Sequence, residues 1–198
     1  MAGLWVGLVL FASGLTGATR CRDIASADLR NAVLEAARDS GGHDYGLWNG
    51  PAPGGALRMR DGVAWQWDGG PWGKHVRQGR PPDWKTSIEQ DVLLAESASS
   101  GTRLLVLEQV QLTGSNAYTY ILGFQCVAGA VKKVFEASGQ GVRLERVRRD
   151  GMDIKVGIWG EKDAHCCPGR EALVKYSWRP ARGGFVRESS NALCWWLP

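Results

Sequence analysis

The chain has 198 residues, of which 44% are hydrophobic and 22% are charged, and its formal net charge is +4. This length predicts one domain with a core of its own, and the composition is that of an ordinary globular protein. A charge this small, without a concentrated basic face, argues against a nucleic-acid partner. Ten tryptophans and 27 glycines favour β structure with many turns.

The first distinctive segment is an uncharged apolar run over residues 4–15, which is too short to cross a membrane. Small residues follow it at the positions that a signal peptidase reads. We therefore expect a signal peptide over residues 1–18 and a single mature domain over residues 19–198. The mature protein would be periplasmic, attached to the cell envelope or secreted, with no transmembrane span. A lipoprotein acylated on Cys21 is the alternative, although Arg20 stands where a small residue is usual.

The mature chain begins with a pattern that predicts a helix over residues 27–38. Ser26 would cap this helix, and its apolar residues form a modest stripe at helical spacing. Gly41 and Gly42 would end it. We expect this to be the one helix of the domain.

A hairpin is predicted next, around the turn residues Asp61 and Gly62. A two-residue turn would place Arg60 opposite Val63, whereas a three-residue loop places Met59 opposite Val63 and brings two apolar residues together. Because register follows the buried face, the sequence favours the three-residue loop.

Residues 68–85 form a connection rich in Gly and Pro that is unusually long for a compact domain. The aromatic rings in and beside it either cover the edge of the core, which is their more common role, or form a platform for a sugar or a peptide. Long loops often carry function, so we treat this region as a candidate binding site. Its residues are Trp65, Trp67, Trp72, His75, Arg80 and Trp84.

The rest of the chain is typical of short strands joined by tight turns, which predicts an antiparallel meander. An apolar segment between Ile88 and Leu94 has no period that separates helix from strand. Strands are predicted over residues 103–112, 118–127, 131–137, 142–148, 152–158 and 172–178, with another starting at Phe185. The predicted fold class is α+β, with one N-terminal helix against a mainly antiparallel sheet of about seven or eight strands.

The most specific pattern lies within residues 150–188. An acidic residue precedes two adjacent cysteines and a proline, and an aromatic strand and a glycine turn follow. The residues are Asp163, Cys166, Cys167, Pro168, Tyr176, Trp178, Gly184, Phe185 and Val186. This pattern resembles a family of uncharacterised exported bacterial proteins and lipoproteins of the LppP/LprE type. The resemblance implies an exported protein and implies no particular activity.

Cysteines in an exported chain are expected to pair, and the odd number of five leaves one over. Cys21, near the terminus, is the natural unpaired one. The other four are Cys126, Cys166, Cys167 and Cys194. A vicinal Cys166–Cys167 bridge would leave Cys126 to pair with Cys194. Cross-links from the adjacent cysteines to Cys126 and Cys194 fit disulfide geometry better.

The same cysteines are poor candidates for a metal site or a nucleophile. Adjacent cysteines with Asp163 and His165 do not have the spacing of a tetrahedral ion site. On an extended chain His165 points away from Cys166, so it is badly placed to act as its base. We predict no metal, no cofactor and no catalytic residue.

Basic residues cluster at Arg143, Arg146, Arg148, Arg149, Lys132 and Lys133. Acidic residues interrupt the cluster, which favours a solvated strand face over a surface that binds anions.

Together these patterns predict a non-enzymatic envelope or secreted protein that binds a glycan or a protein partner. The alternative is a hydrolase-type enzyme with a site near His75 and the loop between Trp65 and Trp84. Convergent titratable groups with shifted pKa in a cleft would favour the enzyme. An exposed aromatic patch without them would favour binding.

Overall fold

The described part of the protein consists mainly of antiparallel strands. The computed structural model describes residues 21–36, 55–66, 82–94, 101–112, 114, 117–158, 160 and 168–193. Strands make up 70% of the described residues, which contain no helix of seven residues or more. The predicted α+β class with an N-terminal helix is therefore wrong, and the fold is mostly antiparallel β-sheet. The predicted signal peptide over residues 1–18 lies outside the described residues.

Eleven strands and three short 3-10 helices follow one another in these residues. The strands are β1 Val33–Ala36, β2 Gly55–Arg58, β3 Val63–Gln66, β4 Trp84–Leu94, β5 Thr102–Gln111, β6 Ala117–Val127, β7 Ala130–Gly139, β8 Arg143–Val147, β9 Gly151–Ile158, β10 Arg170–Arg179 and β11 Gly184–Leu193. The 3-10 helices are Ile24–Ser26, Leu29–Asn31 and Pro180–Arg182. All strands predicted from residue 103 onward are confirmed, and the undecided apolar segment belongs to β4. None of the helices described is long and apolar enough to cross a membrane.

Two aspartates explain why the helix predicted over residues 27–38 does not form. Asp23 caps the first 3-10 helix by accepting a hydrogen bond from Ala25 N, and Asp28 caps the second by accepting one from Asn31 N. Such local bonds between short side chains and the backbone compete with a longer helix. Strand β1 then pairs with β2, so its backbone groups bond across a sheet instead.

These strands form three sheets. A five-stranded sheet has the order β3-β4-β5-β6-β7, a four-stranded sheet has the order β11-β10-β9-β8, and β1 and β2 form a two-stranded ribbon. All neighbouring strands in them run antiparallel. The connection between β7 and β8 carries the chain from the five-stranded sheet to the four-stranded one.

The five-stranded sheet is the central layer. On one face, Leu105 and Leu107 of β5 pack in a core with the two-stranded ribbon and with the N-terminal segment, which we define as residues 21–36. On the other face, Leu104 and Val106 pack in a second core against the four-stranded sheet. Successive side chains of β5 point to opposite faces, so four consecutive apolar residues fill two cores.

The turn at Asp61 and Gly62 has two residues, so the predicted three-residue loop is wrong. Arg60 N donates to Val63 O at 2.8 Å, and Val63 N donates to Arg60 O at 3.0 Å. Both turn residues have positive φ, 51° for Asp61 and 85° for Gly62, as a tight two-residue turn requires. The prediction assumed that β2 and β3 pair with each other, which would bring Met59 opposite Val63. Instead β2 pairs with β1 and β3 pairs with β4.

A disulfide joins Cys21 to Cys126 of β6, with their Cα atoms 5.8 Å apart. The predictions that Cys21 is unpaired and that Cys126 bonds a later cysteine are therefore wrong. The N-terminal segment is not frayed, since Cys21 N also donates to Gly129 O at 3.1 Å. The disulfide uses the same sulfur that a lipoprotein would acylate. Outside the described residues lie Cys166, Cys167 and Cys194.

Arg103 of β5 provides a second attachment for the N-terminal segment. Its Nε and Nη2 donate to the two carboxylate oxygens of Asp91 at 2.7 and 2.6 Å. Its Nη1 donates to the backbone oxygens of Ile24, Ala25 and Ala27. The hydrogen bonds to Asp91 raise the pKa of Arg103, so the guanidinium stays charged. Charge-assisted bonds of this kind are stronger than neutral ones and hold the segment against the sheet.

Candidate functional site

One face of the five-stranded sheet is covered over only part of its length. Val106 of β5 pairs with Ile121 of β6, and both side chains are buried in the core between the sheets. Two residues further along β5, Glu108 pairs with Thr119 and is exposed. Glu108 lies on the same face as Val106, because side chains alternate along a strand. The four-stranded sheet thus covers the row of Val106 and leaves the row of Glu108 exposed.

We call this exposed part of the sheet the open face. It consists of two rows of cross-strand neighbours on β3, β4, β5 and β6, followed by one residue beyond the end of β5. The first row is Val63, Ser87, Glu108 and Thr119, the second row is Trp65, Lys85, Val110 and Ala117, and the last residue is Leu112. None of these nine side chains is buried. The open face is therefore a surface that combines an aromatic ring, aliphatic groups and hydrogen-bonding groups.

Trp65 is the most prominent residue of the open face, with 49% of its surface exposed. Its neighbour Ala64 is buried in the core beneath the N-terminal segment. Because side chains alternate along a strand, Trp65 points to the opposite face. Lys85 lies directly across from Trp65 on β4. Leu112, which is 46% exposed, adds a second large apolar group.

A buried hydrogen-bond network supports the open face from behind. Gln109 of β5 donates to Thr86 Oγ1 at 3.0 Å and accepts from Tyr120 Oη at 2.9 Å. The Gln109 amide also donates to Gln66 Oε1. Gln109, Thr86 and Tyr120 are fully buried. The network therefore joins β3, β4, β5 and β6 at the level of Trp65 and limits their movement relative to one another.

The long loop predicted as a binding site leaves the sheet beside the open face. Asp83 N donates to Gln66 O at 3.0 Å, and Leu112 N donates to Asp83 O at 2.8 Å, so the two ends of the loop are held together. Residues 67–81 lie outside the described residues. The binding roles of Trp67, Trp72, His75 and Arg80 therefore stay predictions, and so does the hydrolase alternative at His75.

Trp84 is placed differently from Trp65. It is 6% exposed and belongs to the core beneath the N-terminal segment, with its ring centroid 5.8 Å from that of Tyr118. The cause is register: Trp65 pairs with Lys85, so Trp84, one residue earlier on β4, points to the other face. Of the two predicted binding residues that the structure describes, Trp65 is available to a ligand and Trp84 packs in the core.

Arg143, Lys133 and Arg148 of the basic cluster are paired with acidic residues. Arg143 Nε donates to Glu145 Oε2 at 3.3 Å, and Lys133 pairs with Glu136. Outside the cluster, Lys155 lies 3.1 Å from Glu145. The hydrogen bond from Lys155 lowers the pKa of Glu145. These charges form a mixed, solvated strand face, which does not favour an anion-binding surface.

Arg148 lies over β9 and β10 rather than in the solvent. Its Nη1 is 3.3 Å from Asp153 Oδ1, and its Nη2 donates to Tyr176 O at 2.8 Å. A Cβ on Gly151 would lie 2.9 Å from the same guanidinium, so glycine makes room for this contact. Arg148 therefore has a structural role.

The described residues provide little of what an enzyme or a metal site would need. The pKa shifts of Arg103 and Glu145 arise from ion pairs that hold the fold together. No group of three or more His, Cys, Asp or Glu residues within the described ranges is arranged to hold a metal ion.

Comparisons of the chain with protein-family models, with curated proteins and with solved structures found no match.

Most of the open face was not predicted from the sequence. Lys85, Ser87, Glu108 and Thr119 were not singled out, although β5 does contain a signal. Its sequence changes from four consecutive apolar residues to Glu-Gln-Val-Gln, in which polar residues occur on both faces. The end of the apolar run indicates where burial on both faces ends. It does not indicate which face is exposed, because Gln109 is fully buried and Val110 lies on the open face.

Proposed function

We propose that the protein is a non-enzymatic binding module of the cell envelope or the extracellular space, and that the open face is its binding surface. The exposed ring of Trp65 on a rigid sheet carries this proposal. Exposed large apolar groups rimmed by polar ones mark interaction sites, and tryptophan is enriched among residues that dominate binding energy. A ring on a rigid strand also loses little conformational freedom when a ligand binds.

Two observations support a location outside the cytoplasm. The uncharged run over residues 4–15 predicts export. The disulfide between Cys21 and Cys126 is compatible with an oxidising compartment. The likeness to exported proteins of the LppP/LprE type agrees with this location.

The test measures binding of labelled protein to envelope fractions of the source organism. We expect Trp65→Ala to weaken this binding at least about tenfold, which corresponds to roughly 1.4 kcal/mol. Leu93→Ala is the matched control. Leu93 is 47% exposed, and together with its cross-strand partner Arg103 it lies on the face of the sheet opposite to the open face. Its binding should equal that of the wild type, and both variants should keep the wild-type melting temperature.

Two results would contradict the proposal. One is a lack of envelope binding by the wild-type protein. The other is equal binding by the wild type and Trp65→Ala, which would leave the open face without a part in recognition.

A further inference from the structure

The chemistry of the open face also narrows the class of ligand. We infer that it binds a neutral polysaccharide chain, with Trp65 stacking on a sugar ring and the polar residues of the two rows hydrogen-bonding the hydroxyl groups. This inference rests on the proposed function, since it names the ligand of the same surface. Three properties of the face support it.

The first property is an exposed, planar aromatic ring on the surface of the sheet. A pyranose ring presents C–H groups on its faces and hydroxyl groups around its edge, so it stacks on an aromatic ring while its edge stays polar. Trp65 offers such a ring, half exposed and directed away from the core. The open face is about 14 Å wide over four strands, given a strand spacing of about 4.8 Å, which leaves room for more than one sugar unit.

The second property is the set of polar groups beside the ring. Lys85 is a donor, Glu108 is an acceptor, and the hydroxyl of Thr119 can both donate and accept. The Ser87 hydroxyl donates to Glu89 at 2.8 Å and can still accept. Ser87, Glu108 and Thr119 occupy neighbouring positions in one row, and Lys85 lies next to Trp65 in the other. A hydroxyl group also donates and accepts, so a sugar chain can satisfy all of these groups at once.

The third property is the charge of the face. Lys85 and Glu108 have opposite signs and lie in adjacent rows, so the two rows themselves have no net charge. Beside them, Glu89 accepts a hydrogen bond from Ser87 at 2.8 Å and adds one negative charge. A polyanion would meet the carboxylate, and a polycation would meet the ammonium group. A protein partner fits less well, because the cores of protein interfaces are depleted in Lys, Glu, Ser and Ala, and these four types stand here at Lys85, Glu108, Ser87 and Ala117.

The first experiment uses envelopes that bind the protein through Trp65. One portion is digested with protease and another is oxidised with periodate, which cleaves the vicinal diols of sugars. We expect protease digestion to leave binding intact, and periodate to reduce it where the bound chain carries vicinal diols. Loss of binding after protease digestion, with periodate having no effect, overturns the inference and identifies the partner as a protein. In that case the proposed function stands, because binding still depends on Trp65.

The second experiment uses the neutral polysaccharide fraction of the same envelopes, freed of protein, in titration calorimetry. We expect Trp65→Ala and Glu108→Ala each to weaken binding about tenfold or more, Trp65→Phe to retain part of it, and Leu93→Ala to leave it unchanged. Affinity should change less than about twofold between low and high salt, because a neutral ligand is not screened. A lack of binding to this fraction, or a steep fall in affinity with salt, would overturn the inference.

Discussion

The covered half and the open half of one sheet face lie on neighbouring parts of the same strands but differ in burial. In the covered half, Leu104, Val106 and Ile121 are buried against the four-stranded sheet. In the open half, Trp65 and Leu112 remain 49% and 46% exposed. Alternation along a strand decides which face a side chain lies on, whereas coverage by another layer decides whether it is buried. The comparison shows that an exposed surface arises where the second sheet ends, and this is the surface that we propose as the binding site.

The largest expected effect comes from one substitution made in both halves. Leu104 of β5 is fully buried in the covered half, whereas Leu112 directly follows β5 at the open half and is 46% exposed. Leu104→Ala should destabilise the protein by about 2–5 kcal/mol, because it removes contacts and leaves a cavity. Leu112→Ala should change stability by less than about 0.5 kcal/mol. Denaturant unfolding of both variants measures the difference, and similar losses in both would break the comparison.

A smaller effect is expected from the opposite face of the sheet, which the N-terminal segment covers. Replacing Cys21 and Cys126 together by Ser should reduce stability by about 2–4 kcal/mol, since the disulfide restricts the unfolded chain. Envelope binding through the open face should persist at temperatures where the variant is folded. Peptide mapping without reduction should recover the Cys21–Cys126 pair from the wild type. Recovery of Cys126 joined to a different cysteine would contradict the structure.

The smallest effect concerns the charged face of the four-stranded sheet. The pKa of Glu145 is lower in the folded protein than its unfolded value of about 4.3, because Lys155 donates a hydrogen bond to it. Such a group stabilises the fold above the unfolded pKa, and this stabilisation is lost as the pH falls through the folded pKa. Glu145→Gln should therefore be slightly less stable than the wild type near neutral pH. The difference should shrink as the pH falls below about 4.3 and vanish below the folded pKa of Glu145.

Thermal unfolding across this pH range provides the measurement. The pair is exposed, so added salt should shrink the difference at neutral pH. A difference that grows as the pH falls would have the wrong sign for the ion pair seen here.

Much of the sheet could be predicted from the sequence, because strand signals are local. In β9, Met152 and Ile154 alternate with polar residues, and both lie in the second core. Pro180, which cannot donate to a ladder, follows the end of β10. In β5 the apolar run ends at Glu108, where the covered half of the face ends.

The remaining features could not be predicted because they depend on residues distant in sequence. The segment after Ser26 has a helical stripe, yet pairing with β2 and the hydrogen bonds from Arg103 favour short turns and a strand. Cys21 was assigned to a frayed terminus, although its partner Cys126 lies 105 residues away in sequence. Trp65 and Trp84 look alike in sequence, and only the register between β3 and β4 sends them to opposite faces.

The Cys21–Cys126 disulfide also has a consequence for the order in which the protein matures. The N-terminal segment packs against β4, β5 and β6, so it has no surface to dock on until residues as far as Val127 are present. In a chain that is exported with its N-terminus first, Cys126 is the second cysteine to appear in the oxidising compartment. Joining cysteines in their order of appearance then produces the observed bond directly. If the chain is exported as we propose, its native pairing would therefore not require a disulfide isomerase to correct an earlier one.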